Sequence, residues 1–224
     1  MKMPPSGPKF ADSDSRKIHG RVQLIPPEGI SVISDVDDTI KVSRILQKSE
    51  LFTNTFVKPY SSVSGMAHRY QQWAEQGATF HYVSGTPWQL YPALSTFMSN
   101  EGFPAGSFHL RTIHFWDRRL RNLFADAHTY KKPPIREILL RYPLRQFVLV
   151  GDLGEYDAEI YSELARECPN QVHSIWLRRP DEVRIPIEQL RNQLTALFSD
   201  LPTIKWGVFE HGDDLPIEIA NLVT

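Results

Sequence analysis

Ser31-Val32-Ile33-Ser34-Asp35-Val36-Asp37-Asp38-Thr39-Ile40-Lys41 sets a short apolar run, Ile30 to Ile33, directly against an Asp-x-Asp-x-Thr turn. An apolar run of this length bounded by turn residues reads as a buried strand. Three carboxylates within four residues at the end of such a strand are unfavourable for stability, because crowded like charges cost free energy unless something compensates them. A divalent metal is the simplest compensation, and a hard, all-oxygen donor set points to Mg²⁺. In open α/β sheets ligands bind beyond the carboxyl ends of the strands, where this cluster falls. The plainer reading is an Asp-rich turn that caps a loop.

Working outward, the 224 residues suit one sizeable α/β domain. The hydrophobic fraction, 41% with 11% aromatics, is that of a globular chain. A net charge of −1 gives no global attraction to nucleic acid or to an anionic membrane, so no nucleic-acid partner is expected. Cys168 is the only cysteine, which rules out an intrachain disulfide and fits a reducing cytoplasm. No stretch has the roughly 20 apolar residues of a transmembrane helix, and the N-terminus lacks the apolar centre of a signal peptide.

Residues 1–20, rich in Pro, Ser, Asp, Lys and Gly, read as a flexible arm ahead of one folded domain at 21–224. Gly20 to Ile25 offers a short strand stopped by Pro26-Pro27. Residues 44–63 read as a loop or short flap. Met66, Tyr70 and Trp73 recur at helical spacing, with Gly77 ending the helix. Ala78 to Val83 is a strand, followed by Thr86 as helix cap and Pro87 at the first helical position; Leu90, Leu94, Phe97 and Met98 then mark a buried face. Phe108 to Ile113 is a further strand, and 114–128 mix basic and aromatic residues without a period. A helix beginning near Lys131 to Pro134 carries Ile135, Ile138, Leu139 and Tyr142. Gln146 to Val150 is a strand ending in Gly151-Asp152, and the helix after it presents Tyr156, Ile160 and Leu164. Val172 to Leu177 is a strand, and Ile187, Leu190, Leu194 and Leu197 mark the last helix. Strands alternating with helices imply a parallel sheet with right-handed crossovers.

Four polar signals fall at strand ends: Asp35/Asp37/Thr39, Ser84/Thr86, Lys131, and Asp152/Asp157. Alone, Ser84 reads as a helix cap, Lys131 as a solvated lysine and Gly151-Asp152 as another cap. Together, at corresponding ends of parallel strands, they describe one pocket that combines a metal site with phosphate-sized donors.

That order, DxDxT, then Ser/Thr, then Lys, then GD…D, resembles the haloacid dehalogenase (HAD) superfamily of phosphoryl-transfer enzymes. The segments VISDVDDTIKVS, HYVSGTPWQLYPALSTFM, GFPAGSFHLR and FVLVGDLGEYDAEIYSELA resemble, more narrowly, the actin-patch-associated type of phosphatidate phosphatase catalytic domain, over roughly residues 20–200. The resemblance implies a three-layer Rossmann-like α/β fold with a central parallel sheet. Asp35 to Ser84 and Ser84 to Lys131 span 49 and 47 residues, mostly taken up by core helix and strand, so no large cap domain fits.

It further implies Asp35 as a nucleophile forming an aspartyl-phosphate and Asp37 as general acid and then base. Thr39 would hold Asp37 or the loop. Ser84, Gly85 and Lys131 would meet the phosphoryl group, with Lys132 the competitor for the lysine role. Asp35, the Asp37 carbonyl and Asp152 would bind Mg²⁺, with Asp157 beside them. Leu153 and Tyr130 depart from the Ser and His of many relatives, which touches the surroundings of the metal and not its ligands. The expected activity is a Mg²⁺-dependent phosphomonoester hydrolase acting on phosphatidate at a membrane surface. The alternatives are another phosphomonoester, or a non-catalytic scaffold. The segment Arg111 to Phe124, with Arg118, Arg119 and Arg121 interleaved with Phe115 and Trp116, is a candidate membrane contact.

Overall fold

The computed structural model describes residues 22–42, 60–112 and 127–223. Its centre is a sheet of six parallel strands: β1 (Gly29–Asp35), β2 (Thr79–Pro87), β3 (Gly106–Arg111), β4 (Arg145–Asp152), β5 (Val172–Arg178) and β6 (Lys205–Phe209). The helices between them are α1 (Met66–Glu75), α2 (Tyr91–Asn100), α3 (Ala127–Arg141), α4 (Asp157–Glu167) and α5 (Ile187–Leu197).

The strands lie in the order β3-β2-β1-β4-β5-β6. From β1 the chain first winds outward one way, then returns to β4 and winds the other way. The reversal leaves a crevice above the carboxyl ends of β1 and β4, the switch point at which such sheets bind ligands.

Alternation along the buried strands separates two apolar layers. Val32, Val148 and Val150 face α1 and α2, where Met66, Tyr70, Trp73, Leu94, Phe97 and Met98 meet them. Ile33, Phe147 and Leu149 face α3, α4 and α5, against Ile135, Leu139, Ile160, Leu164 and Leu194. With side chains apolar on both faces, β1 and β4 read as continuous hydrophobic runs, as central parallel strands do. The three layers and the parallel sheet are those expected.

Several local expectations need correction. Residues 22–25 form no strand: β1 is already paired with β2 and β4 on its two edges, and Val22 and Leu24 stand in solvent. Gly77 does end α1, in a left-handed conformation (φ 92°) that costs glycine little. Thr86 caps no helix, since β2 runs on to Pro87 and the short turn Trp88–Leu90 precedes α2. α3 begins at Ala127, before its two prolines. Pro133 and Pro134 bring no N–H, so the turn carrying Thr129 and Tyr130 lacks two ladder donors. Tyr156 stands exposed at the start of α4, whose buried face is Asp157, Ala158, Ile160, Tyr161 and Leu164.

β6 was not expected. Its residues, Lys205 to Phe209, are buried only at Phe209, so neither alternation nor an apolar run marks them. The stretch beyond it closes the α1 layer with buried Leu215, Ile219 and Leu222. There Arg69 of α1 donates to the carbonyls of Gly212 (3.1 Å) and Asp213 (3.4 Å). Between Asp35 and Ser84 the described residues are taken up by the Asp loop, α1 and β2; residues 43–59 lie outside the described residues. So do the N-terminal arm, Phe115, Trp116 and the three arginines of the basic-aromatic segment.

Candidate functional site

β1 delivers Asp35 at its last residue, and the chain then turns back on itself. Ile40 and Lys41 both donate backbone N–H to Val36 O, at 3.1 and 3.0 Å, and Asp38 donates to Lys41 O at 2.8 Å. The turn is tight enough to place Asp38 at φ 57°, a left-handed conformation that aspartate tolerates better than most residues. Asp38 O accepts from the buried Arg178 guanidinium at 2.8 Å, and Arg178 also donates to Glu210 O at 3.0 Å. The end of β5 thus braces the loop that follows Asp35.

Two groups of charges face each other across this loop. On one side Asp37 Oδ2 accepts from the Ser84 hydroxyl (2.7 Å) and the Thr86 hydroxyl (3.2 Å), both at the end of β2. Thr86 N–H donates to Ser84 Oγ at 2.9 Å and fixes that hydroxyl in place. Asp37 Oδ1 pairs with Lys41 Nζ at 2.5 Å. Burial pulls the Lys41 ammonium down, yet Asp37 outweighs it and raises the pKa.

On the other side Lys131 of α3, itself buried, lies 2.8 Å from Asp35 Oδ1, 2.7 Å from Asp157 Oδ1 and 3.0 Å from Glu155 Oε2. Asp157, at the start of α4, also accepts the Asp152 N–H on its Oδ2 at 3.1 Å. A side chain at position 151 would put its Cβ 2.4 Å from that oxygen, so only glycine fits between β4 and Asp157. Asp152 Oδ1 accepts from the N–H groups of Gly154 and Glu155, at 2.5 and 3.1 Å. Thr39 donates to Asp35 Oδ2 at 3.1 Å, so it orients Asp35 and not Asp37.

One oxygen of Asp35, Asp152 and Asp157 each lies within 4.8 Å of the others, all from buried residues. Burial pushes Asp35 and Asp152 well above the usual carboxylate range and raises Asp157 as well. Lys131 opposes the push on all three, and the neighbouring carboxylates add to it on Asp35 and Asp152. Burial also pulls Lys131 down, but Asp157, Asp35 and Glu155 outweigh it and hold the ammonium well above its ordinary value. One ammonium does not balance this set. Asp152 Oδ2 is buried with no hydrogen-bond partner, and Asp35 Oδ1, although beside Lys131, makes no aligned hydrogen bond. Two open carboxylate oxygens in an excess of buried negative charge fit a small hard cation. Asp157, with both oxygens occupied, fits better as the group that holds Lys131 and the end of β4.

Asp35, Asp37, Thr39, Ser84, Lys131, Asp152 and Asp157 therefore lie together at the switch point. Gly85 lies against Tyr130, whose hydroxyl an added Cβ would meet at 2.9 Å. Lys132 faces away and pairs with Glu163 (2.6 Å) and Glu167 (3.0 Å) of α4. The Asp37 carboxylate is outside the acidic cluster, turned toward Ser84, Thr86 and Lys41. The residues not anticipated are Lys41, Glu155 and Arg178. Lys41, four residues after Asp37, carried a readable signal; Arg178, at the end of an ordinary buried strand, carried none.

Residues 30–179 match the family described as "Phosphatidate phosphatase APP1, catalytic domain", a span that contains all of these groups. An uncharacterized protein of Schizosaccharomyces pombe is 34% identical over 161 residues, covering 70% of this chain and 26% of that protein. The protein named phosphatidate phosphatase APP1 in Saccharomyces cerevisiae is 32% identical over 158 residues, covering 69% of this chain and 26% of its own. The chain thus matches about a quarter of the length of these curated relatives.

Proposed function

This chain belongs to the phosphatidate phosphatase APP1 catalytic-domain family, and we propose that it is a Mg²⁺-dependent phosphatase of the haloacid dehalogenase type that hydrolyses phosphatidate to diacylglycerol. The observation that supports this most directly is the pairing of Asp35 with Lys131 on one side of the loop and of Asp37 with Ser84 on the other.

Asp35 attacks phosphorus; the bond to the lipid oxygen breaks, and the phosphoryl group passes to the carboxylate. That exchange replaces one difficult displacement with two easier ones. Asp37 gives a proton to the departing oxygen, then takes one from the water that attacks the aspartyl-phosphate and frees Asp35. Ser84 and Lys131, resting on carboxylates in the free enzyme, turn their hydrogens to the phosphoryl oxygens, where charge accumulates. Thr39 keeps the Asp35 carboxylate aimed, and Gly85 leaves room beside Ser84. Asp35, Asp152 and the Asp37 carbonyl would hold Mg²⁺, which would neutralise the charge that otherwise keeps a carboxylate and a phosphate dianion apart.

In this reading residues 21–224 form the catalytic unit. Support comes from both ends: Arg145 binds the carbonyls of Pro26 and Glu28, and Leu215, Ile219 and Leu222 complete a core layer. No helix among the described residues is long and apolar enough to cross a membrane.

The test is a substrate panel on purified protein: a soluble aryl phosphate, several soluble metabolite phosphomonoesters, and phosphatidate in detergent micelles. Mg²⁺-dependent release of phosphate, fastest from phosphatidate, is the expected result. A preference of tenfold or more for a soluble metabolite reassigns the substrate, and no turnover of any compound overturns the enzymatic reading.

A further inference from the structure

Ten large apolar or aromatic side chains stand exposed among the described residues, and the two edges of the sheet share them unequally in kind. Val22 and Leu24 precede β1, Leu140 and Leu144 precede β4, and Ile217 lies beside Gln76, just ahead of β2. All five are aliphatic and belong to the edge away from the site. Val42, Trp88, Tyr91, Tyr156 and Ile185 follow β1, β2, β4 and β5 and so belong to the edge that carries Asp35. Every exposed aromatic of the described residues is on that edge: Trp88 at 43%, Tyr91 at 37% and Tyr156 at 54%.

They stand on both sides of β1. Trp88 is two residues beyond Thr86, whose hydroxyl reaches Asp37, and its ring lies 5.8 Å from that of Tyr91. Tyr91 is braced edge-on by Phe108 at 5.3 Å, so this pair is held and not adrift. Tyr156 lies between Glu155, which meets Lys131, and Asp157, on the far side of β1. An exposed Trp or Tyr has an apolar body and a polar tip, the combination that favours the headgroup level of a bilayer.

We propose that Trp88, Tyr91 and Tyr156 form the surface by which this protein seats its catalytic edge on a phosphatidate-containing bilayer; this rests on the substrate reading above. The occupant is a membrane because the phosphate that must reach Asp35 is fixed at a headgroup plane, and the exposed aromatics stand on either side of β1 at the end of the sheet that carries Asp35. Among the described residues at this edge, Lys41 pairs with Asp37, Lys131 with three carboxylates and Arg179 with Glu210, while Arg111 lies over the Tyr130 ring and Arg184 is exposed. The contribution of these aromatics is insertion, so their loss should weaken attachment at high salt as well as at low.

The experiment compares the wild type with Trp88→Ser/Tyr156→Ser on three substrates: phosphatidate in phosphatidylcholine vesicles, a short-chain phosphatidate dispersed as monomers, and a soluble aryl phosphate. The expected result is a loss of at least tenfold on vesicles at both low and high salt, with the other two rates unchanged. Equal rates on vesicles overturn the proposal. A wild type that hydrolyses the aryl phosphate but neither lipid overturns the substrate reading, and this proposal with it. Should the double variant lose all three activities, tryptophan quenching by vesicles of brominated phosphatidylcholine decides. Quenching in the wild type that disappears in Trp88→Phe supports insertion, and identical quenching in both chains overturns it.

Discussion

The Ser84 hydroxyl donates to Asp37 Oδ2 across 2.7 Å, joining the end of β2 to the loop that follows β1. The contact keeps the hydroxyl and the carboxylate in one place before any phosphate arrives, and Thr86 holds both. Ser84→Ala should therefore act twice, removing a phosphoryl donor and loosening Asp37. Loss of one such preorganised donor typically costs about 10²–10³-fold in rate. Steady-state kinetics on a soluble aryl phosphate checks it: kcat should fall while the melting temperature moves by less than a few degrees. An unchanged kcat would remove Ser84 from the proposed chemistry.

Asp35→Asn should abolish turnover, by about 10³-fold or more, and leave the fold intact. The amide is a poor nucleophile, and Lys131 keeps Asp157 and Glu155 as partners. Removing one negative charge from a buried acidic cluster should leave the melting temperature unchanged or raise it. Wild-type turnover in this variant would sink the mechanism.

Mg²⁺ should raise the melting temperature of the wild type, since a ligand that binds only the folded state stabilises it by an amount that grows with the logarithm of its concentration over Kd. Asp152→Asn, which removes an open buried oxygen, should abolish that rise. EDTA should silence turnover and Mg²⁺ restore it. Ca²⁺ should restore little, because its bonds are longer, ~2.3–2.6 Å against ~2.0–2.1 Å. Full activity in chelator would argue against the metal.

His81 provides a pH prediction away from the site. Its Nδ1 lies 2.7 Å from Ser107 Oγ, which lies 3.0 Å from His109 Nε2, while its Nε2 is buried without a partner. Burial, with smaller contributions from His109 and Arg145, holds the His81 pKa down to about 4. An unfolded histidine takes a proton near pH 6.5, so between roughly pH 6.5 and 4 the unfolded chain binds a proton that the folded chain refuses. Stability is then full above that window and falls as pH drops through it, by up to about 1.4 kcal/mol per pH unit. His109, also lowered by burial, adds in the same sense. Urea unfolding at pH 7.5, 6 and 5 should show this slope, and His81→Phe should flatten it; parallel curves for the two proteins would refute the assignment.

Arg145→Met should destabilise without touching catalysis. Its guanidinium has no carboxylate partner in its hydrogen bonds, which go to the hydroxyls of Ser31 and Thr79 and the carbonyls of Pro26, Glu28 and Ile30. Losing it leaves several buried acceptors unmet at the amino edge of the sheet, at a cost of about 2–4 kcal/mol. Denaturant midpoint and kcat separate the two effects: the midpoint should drop and kcat should hold.

The sequence alone was enough for what depends on local pattern. The apolar run into Asp35-x-Asp37, the helical spacing of Met66, Tyr70 and Trp73, and the glycine before Asp152 are written in neighbouring residues, and together they imply a parallel α/β sheet with polar groups at strand ends. The family resemblance then gave those groups roles. Only the tertiary structure shows where Lys131 and Lys132 point: adjacent helical residues lie about 100° apart, and α3 turns Lys131 inward to Asp35 and Lys132 toward α4. It likewise took Thr39 from Asp37 to Asp35, and Thr86 from a helix cap to a partner of Asp37. β6 and Arg178 were invisible because an edge strand buried on one residue has no period, and an arginine that braces a loop 140 positions away leaves no mark in its own neighbourhood. Contacts between distant segments are set by how the layers pack, and that packing is decided by the whole chain at once.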